Sequence, residues 1–388
     1  MIPAFNNHLP VKIRFGEGIA ETLPAIFEEI GATRVFLMVD AGIDTFNPAA
    51  QTLLTLLASH SDLSIVRFDR PAEEPTIAMV DEATVALLAA KPDVVVALGG
   101  GSVIDTLKAA RLCAQLGTDF KTFISGTPTY PTPQIPLIAM PTSAGTGSEV
   151  SGGSVVSDPE AGVKRGIANA TLRAQYALVD PKLTWSMPPR MTANTGIDAI
   201  AQAIAGMVAS CRTPIGDAIA LEAVAMMGPA IVAAYRDPND ADARSAMSCG
   251  SMMAGLTMNI SDCTAEHSLG QAIGGIRHVP HGLTIGLVLA ETLERERQHV
   301  PGQLERVADA LGEPDDGSGD GSRCVRAIRR ILADLDFPVL SEIEITDGDL
   351  EHLADLALAD YFITQSPSPW SRDEVLEAFG SALATTSR

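Results

Sequence analysis

The sequence predicts an α/β N-terminal half followed by an all-α C-terminal half, and three observations predict it. Short apolar runs alternate with helix-like stretches over the first 188 or so of 388 residues. Two of those runs end in glycine-rich segments. From about Thr192 onward, long alanine-, leucine- and methionine-rich stretches follow one another with few strand signals. Near-continuous apolar strands alternating with helices indicate a parallel sheet covered on both faces.

Taken in order, the strand-like runs are Arg34 to Val39, ending at Asp40, then Leu63 to Phe68, Asp93 to Leu98 and Ile135 to Met140. Ala78 to Lys91 and Val103 to Gln115 read as helices between them. Helical stretches are then expected at 194–209, 214–235, 240–259, 264–276, 301–311, 322–335, 347–360 and 372–385. The boundary is placed near Pro188-Pro189, giving units 1–188 and 189–388. Gly312 to Ser322, GEPDDGSGDGS, is polar, acidic and glycine-rich, and reads as a mobile surface loop.

Composition narrows the function classes. A chain of 388 residues with 46% hydrophobic content can bury a large core, and its length favours two domains. A net charge of −21 argues against a nucleic-acid partner. The five cysteines are scattered and form no CxxC pair, as expected of reduced thiols in a cytoplasmic protein. The N-terminal MIPAFNNHLPVKIRFGEG has no basic stretch followed by an apolar one, so no secretory signal is expected. No membrane partner is expected either, since the apolar run from Ile197 to Val208 is too short to span and contains Asp198 and Gln202.

Gly99-Gly100-Gly101-Ser102 lies between a predicted strand and a predicted helix. Glycines let backbone approach phosphate, and a helix N-terminus offers N–H groups and a favourable dipole. The same four residues also suit an ordinary tight turn, and they are not the GxGxxG fingerprint. A second run, Pro141-Thr142-Ser143-Ala-Gly145-Thr146-Gly147-Ser148-Glu149, follows another apolar strand. Its hydroxyls and open N–H groups suit pyrophosphate, ribose or nicotinamide. Asp40, at a strand end, suits ribose hydroxyls and repels a 2′-phosphate, but it equally suits a turn or helix cap.

Three of the seven histidines fall between His267 and His281. Asp198 and Gln202 lie one turn apart on a predicted helix. One carboxylate with the imidazoles of His267 and His281 makes the donor set of a divalent first-row metal such as Fe(II), with positions open for substrate. Gln202 adds a weaker oxygen donor. The competing reading makes Asp198 a cap and both histidines buried, satisfied core residues. His267 is placed on a helix, and His281 at its far end or in the next loop. His278 is a lesser candidate. His8, His60, His299 and His352 stand alone and read as surface residues.

These residues resemble the iron-containing (group III) alcohol dehydrogenase family. Four stretches carry the resemblance: GGGSVIDTLK at 99–108, PTSAGTGSEV at 141–150, TGIDAIAQAI at 195–204, and EHSLGQAIGG with VPHG across 266–282. FGEG at 15–18 and DPKLTWSMPP at 180–189 also fit. The resemblance implies a dehydroquinate synthase-like fold. Its N-terminal domain would bind a dinucleotide, and a metal would sit in the cleft before the all-α C-terminal domain. It implies NAD(P)-dependent interconversion of a small alcohol and an aldehyde or ketone, usually by a homodimer. It also implies that Asp198, His267 and His281 are metal ligands, with Fe(II) ahead of Zn. Gly99 to Ser102 would form the pyrophosphate loop. Asp105, Thr142, Thr146 and Lys164 would contact the cofactor, and Asp40 would favour NAD over NADP.

The chain departs from the family pattern in four places. Gln202 and Gln271 stand where histidines are usual, Ala205 where a glutamate is often found, and Glu74 where asparagine commonly precedes Pro-Thr. The main expectation is an NAD-dependent, metal-assisted dehydrogenase using His267 and His281. The two glutamines motivate two alternatives: a metal-independent reductase resembling the maleylacetate reductases, or a nucleotide-binding protein without catalysis.

Overall fold

A computed structural model describes residues 4–71, 74–161, 163–277 and 279–385. The chain divides into two compact units, one of His8–Met187 and one starting at Pro188 that also takes in residues 4–7.

In the first unit the elements run β1 (Lys12–Phe15), α1 (Leu23–Ile30), β2 (Arg34–Asp40), α2 (Ile43–Phe46), α3 (Pro48–Ser59), β3 (Ser64–Arg70), α4 (Ile77–Ala90), β4 (Val94–Gly99), α5 (Gly101–Leu116), α6 (Phe120–Ser125), β5 (Leu137–Pro141), β6 (Gly153–Asp158), β7 (Val163–Ala168) and β8 (Tyr176–Val179). Six strands form a parallel sheet in the order β1-β8-β5-β4-β2-β3. The strands are apolar on both faces because both faces are covered. Val95 and Ala97 of β4, with Phe36 and Met38 of β2, pack on Val80 of α4 and Leu107 of α5. The alternate residues Val94, Val96 and Leu98, with Val35 and Leu37, pack on Ile26 of α1 and Leu53 of α3.

From β2 the chain moves to one edge through β3, and from β4 it moves the opposite way through β5. The reversal falls between the paired strands β2 and β4. Ligands of open parallel sheets bind beyond the strands' carboxyl ends at such a point. Asp40 and Gly99 end these two strands.

β1, β8 and the antiparallel β6–β7 pair are not among the strands expected from sequence. Strand β1 (KIRF) is mostly exposed, and β8 is only four residues long. In β6 the buried positions include Ser154 and Asp158 while Val155 is exposed, an inverted pattern that hides the strand from a hydrophobic reading.

The second unit consists of α7 (Pro189–Val208), α8 (Pro214–Arg236), α9 (Ala241–Ser261), α10 (Ala265–Ile276), α11 (His281–Glu296), α12 (Pro301–Ala310), α13 (Ser322–Asp334), α14 (Leu350–Ala359) and α15 (Arg372–Ala384). No strand follows β8 among the described residues. Helix α8 is long and apolar enough to cross a membrane by length and composition, but it packs against α7 and α9 as a core helix does. A Cβ on Gly206 of α7 would fall 2.0 Å from Thr257 Cγ2 of α9, so only glycine permits their approach.

One expectation is corrected here. Residues 281–296 were not assigned to a helix, yet His281 is the first residue of α11 rather than the end of α10 or a loop residue. Pro280 is its N-cap, a position that needs no N–H. The segment 312–322 is, as expected, a largely exposed stretch joining α12 to α13, with Arg323 directly after it. That guanidinium donates to Pro314 O (3.0 Å), Glu305 Oε2 (2.7 Å) and Asp309 Oδ1 (2.9 Å).

Candidate functional site

In the helical unit, α7 carries Asp198 and Gln202 one turn apart, both buried. His267 lies in the first turn of buried α10, and His281 starts α11. Packing brings the three elements together. A Cβ on Gly282 would fall 2.1 Å from Asn194 O, so glycine lets the start of α11 touch the α7 backbone one turn before Asp198. Gly270 allows the matching approach of α10 to α11, with Ile285 N 3.1 Å from where its Cβ would be.

As a result His267 Nε2 lies 3.5 Å and His281 Nε2 3.8 Å from the same atom, Asp198 Oδ1. The rings are 5.6 Å apart. Gln202 Nε2 donates to the other carboxylate oxygen, Asp198 Oδ2, at 3.2 Å. Asp198 Oδ1 and Gln202 Oε1 are buried and accept no hydrogen bond. Donors bound at about 2.0–2.2 Å in a tetrahedral shell stand roughly 3.3–3.6 Å apart. The carboxylate oxygen and the two imidazole nitrogens lie at or just beyond those separations, a donor group of a size to hold a divalent ion, and Gln202 Oε1 on the same helix is also without a hydrogen bond. Burial works to raise the Asp198 carboxyl, but His267, His281 and Gln202 outweigh it and hold it below the usual carboxylate range. Burial also opposes charge on His267, but Cys263, Asp198 and Glu266 more than offset it and raise this imidazole well above its ordinary value.

Three neighbours of His267 were given no role in the sequence reading. Glu266 Oε1 lies 2.8 Å from His267 Nδ1. Cys263 offers a sulfur close enough to Glu266 and His267 for the three to form a second possible donor group. The 2.8 Å contact is shorter than the roughly 3.3–3.6 Å edge of that tetrahedral shell and is a hydrogen bond. Phe362 sets its ring edge-on to His267, with centroids 5.8 Å apart. His278 lies outside the described residues. His8, His60, His299 and His352 are not in the cluster. The Glu266 signal was present in the sequence, a carboxylate in a helix's first turn directly before a candidate ligand.

In the α/β unit, Gly99 ends β4, Gly100 is the N-cap of α5, and Gly101 and Ser102 form its first turn, with no side chain capping the helix. Gly100 N–H donates to Asp40 Oδ2 at 3.1 Å, joining the ends of β2 and β4. Burial raises the Asp40 carboxyl, against the opposing pull of Gly100, Arg70 and Thr142. A Cβ on Gly99 would stand 2.6 Å from Val103 Cγ2, and one on Gly101 2.5 Å from Thr146 Oγ1. These two glycines thus serve internal packing. At Gly100 the nearest atom is Ser143 Oγ at 3.6 Å. Thr142 N donates to Gly99 O at 3.1 Å, so the two glycine-rich loops lie side by side.

The remaining expected cofactor contacts are engaged within the protein. Ser102 Oγ accepts from Arg70 Nη1 at 3.1 Å, and Thr146 Oγ1 accepts from Ser148 N at 3.2 Å. Asp105, expected to contact the cofactor, accepts from Ser148 Oγ with one oxygen and from Val155 N (2.9 Å) with the other. Lys164 sits on β7, paired with Glu74 Oε1 at 2.7 Å. Lys108, unremarked in the sequence, is fully buried and donates to Ser148 Oγ and Gly153 O, each at 2.8 Å. It latches α5 to the second loop and to β6.

Residues 10–181 match the family described as iron-containing alcohol dehydrogenase, and residues 192–383 match the C-terminal part of the Fe-containing alcohol dehydrogenase family. A sulfoacetaldehyde reductase of Bilophila wadsworthia is 31% identical over 96% of this chain and 97% of its own. The crystal structure of a 1,3-propanediol oxidoreductase matches with a TM-score of 0.92 at 25% identity, covering 98% of this chain and 100% of that one. The sulfoacetaldehyde reductase of Bifidobacterium kashiwanohense, solved in complex with NAD+, matches with a TM-score of 0.89 at 26% identity, covering 99% and 100%. The chain belongs to the iron-containing alcohol dehydrogenase family and is an oxidoreductase acting on CH–OH groups.

Proposed function

We propose that the chain is an NAD-dependent, metal-assisted alcohol dehydrogenase or aldehyde reductase acting on a small alcohol or carbonyl compound. One observation carries the metal half: the buried, unpaired Asp198 Oδ1 faces the Nε2 atoms of both His267 and His281. Asp198, His267 and His281 would hold Fe(II), or Zn in its place, with Gln202 Oε1 as a weaker fourth donor. When bound, the metal supplies Lewis acidity toward the substrate oxygen and the dinucleotide supplies or accepts the hydride. The chain's own residues hold and orient. The uncapped N-terminus of α5, with Gly100 open above it, suits the pyrophosphate. The Asp40 carboxylate at the β2 end suits a ribose hydroxyl and repels a 2′-phosphate.

The test is reconstitution. Metal-stripped protein loaded with Fe(II) or Zn(II) is expected to oxidise members of an alcohol panel with NAD and to reduce the matching aldehydes. No turnover across the panel with metal bound would overturn the reading. A second reading, a metal-free reductase, is favoured by one contact: the Gln202 amide donates to Asp198 Oδ2, giving the carboxylate a partner without an ion. Full activity after chelation to undetectable metal content would select it.

A further inference from the structure

Among the buried groups that the proposed chemistry leaves unused, Glu266 has a carboxylate oxygen within hydrogen-bond distance of His267. It is 3% exposed, in the first turn of α10, with Oε1 2.8 Å from His267 Nδ1. We propose that Glu266 is a positioning residue for the metal site, acting through His267; this rests on the metal-assisted reading above. The argument is geometric. An imidazole offers a lone pair to a metal only from its unprotonated nitrogen, and the hydrogen bond made by the other nitrogen decides which one that is. A carboxylate oxygen at 2.8 Å holds the proton on Nδ1, since the opposite tautomer would set a lone pair against it. Nε2, which faces Asp198 Oδ1 at 3.5 Å, is then the free donor.

Glu266 is itself fixed. Thr264 N donates to Oε1 at 3.1 Å, and Thr264 Oγ1 donates to Oε2. The turn beneath it is pinned as well, because Ala265 N donates to Ser366 Oγ at 3.2 Å and Ser268 Oγ to Asp360 Oδ1 at 2.6 Å. The first turn of a helix also favours an anion. A clamped carboxylate thus orients the ring and strengthens it as a ligand, without itself taking a coordination position.

The experiment titrates metal-stripped protein with Co(II), read both by calorimetry and by the visible d–d absorption of the bound ion. Glu266→Ala is expected to bind Co(II) about 10- to 100-fold more weakly than the parent, with an altered absorption envelope. NADH affinity should match the parent's, because the dinucleotide contacts lie in other elements. Glu266→Gln, whose amide oxygen still accepts from Nδ1, is expected to recover part of the loss. Should the alanine variant fail to fold, Thr264→Val tests the same clamp by removing only its hydroxyl, and is expected to weaken Co(II) binding by less. Parent-like affinity and spectrum in these variants would overturn the proposal while leaving the metal-assisted reading intact. A parent protein that binds no Co(II), Fe(II) or Zn(II) would overturn both.

Discussion

In the α/β unit the loop after β4 closes on its own surroundings, whereas in the helical unit α7, α10 and α11 converge and leave acceptors open. Asp105, Ser102, Thr146 and Lys164 all hydrogen-bond or ion-pair within the protein. Asp198 Oδ1 and Gln202 Oε1, more deeply buried, accept no hydrogen bond. The difference matches what the two proposed ligands need. A pyrophosphate is bound largely by backbone N–H groups at a helix start, so neighbouring side chains are free to brace the backbone. A metal ion is bound by side-chain lone pairs, which must stay unsatisfied until it arrives.

The largest expected effect tests the open cluster. His267→Ala and His281→Ala should each lower kcat/KM by about 100-fold or more, since deleting a ligand costs more than an outer contact does. Metal content should fall in parallel, measured by elemental analysis on protein that still folds. Asp105→Asn is the control from the braced cluster. It should lower Tm while metal content stays at the parent's level. If Asp105→Asn lost metal, or His281→Ala kept it, the contrast between the two clusters would collapse.

The glycines sharpen it next. Gly101→Ala drives a Cβ to 2.5 Å from Thr146 Oγ1 and should destabilise the fold by about 1–3 kcal/mol, as overpacking does. Gly100→Ala meets only Ser143 Oγ at 3.6 Å and should fold normally, while weakening NAD binding about tenfold, or roughly 1.4 kcal/mol. Thermal melts and NADH fluorescence titration separate the two effects. A Gly100→Ala variant with parent-like NADH affinity would mean that phosphate does not approach this residue.

A smaller gain is expected from Gln202→His. Imidazole is a stronger donor than an amide oxygen toward first-row metals, and residue 202 lies one turn from Asp198 on the same face. Resistance to chelation should rise about tenfold, near 1.4 kcal/mol. Unchanged metal retention would show that Gln202 serves only to hold Asp198, through its 3.2 Å hydrogen bond, and does not belong to the donor set.

How much of this was readable in advance follows the same division. Glycines, histidines and Asp198 carry their chemistry in their identity, so both clusters could be placed on the sequence. Their division of labour could not, because whether Gly99 meets Val103 or a ligand depends on tertiary packing. Helix α11 escaped notice because Pro280-His281-Gly282 reads as a loop, while the fold uses the proline as N-cap and the glycine to approach Asn194 O. Glu266 is harder to place from sequence, because neighbours on a helix ordinarily point to different sides. In the first turn its side chain instead curls back to Thr264, and its Oε1 stays beside His267 Nδ1.

The expected effect on stability alone, with none on metal or cofactor binding, lies in the second glycine-rich loop. Glu149 is buried, and burial pushes its carboxyl up to about 7, with the nearby Lys108 ammonium pulling the other way. Its folded value stands above the 4.5 of an unperturbed glutamate, so the native state holds this proton more tightly than the unfolded chain. Its contribution to stability is therefore fully present below pH 4.5 and is lost as pH rises toward about 7. Lys108, lowered to about 8 by burial, has the opposite sign above that point, where the unfolded chain keeps its proton longer. Glu149→Gln should flatten the fall of Tm between pH 5 and pH 7.5, worth about 2 kcal/mol, and move the alkaline limb to lower pH, because the Glu149 carboxylate helps hold the Lys108 ammonium up. Because this buried carboxyl has no part in the proposed chemistry, the pH profile of kcat should not move with it. Parallel Tm curves for parent and variant would mean that Glu149 does not titrate in this window. A shifted kcat profile would place it among the reacting groups and erase the line drawn between the two regions.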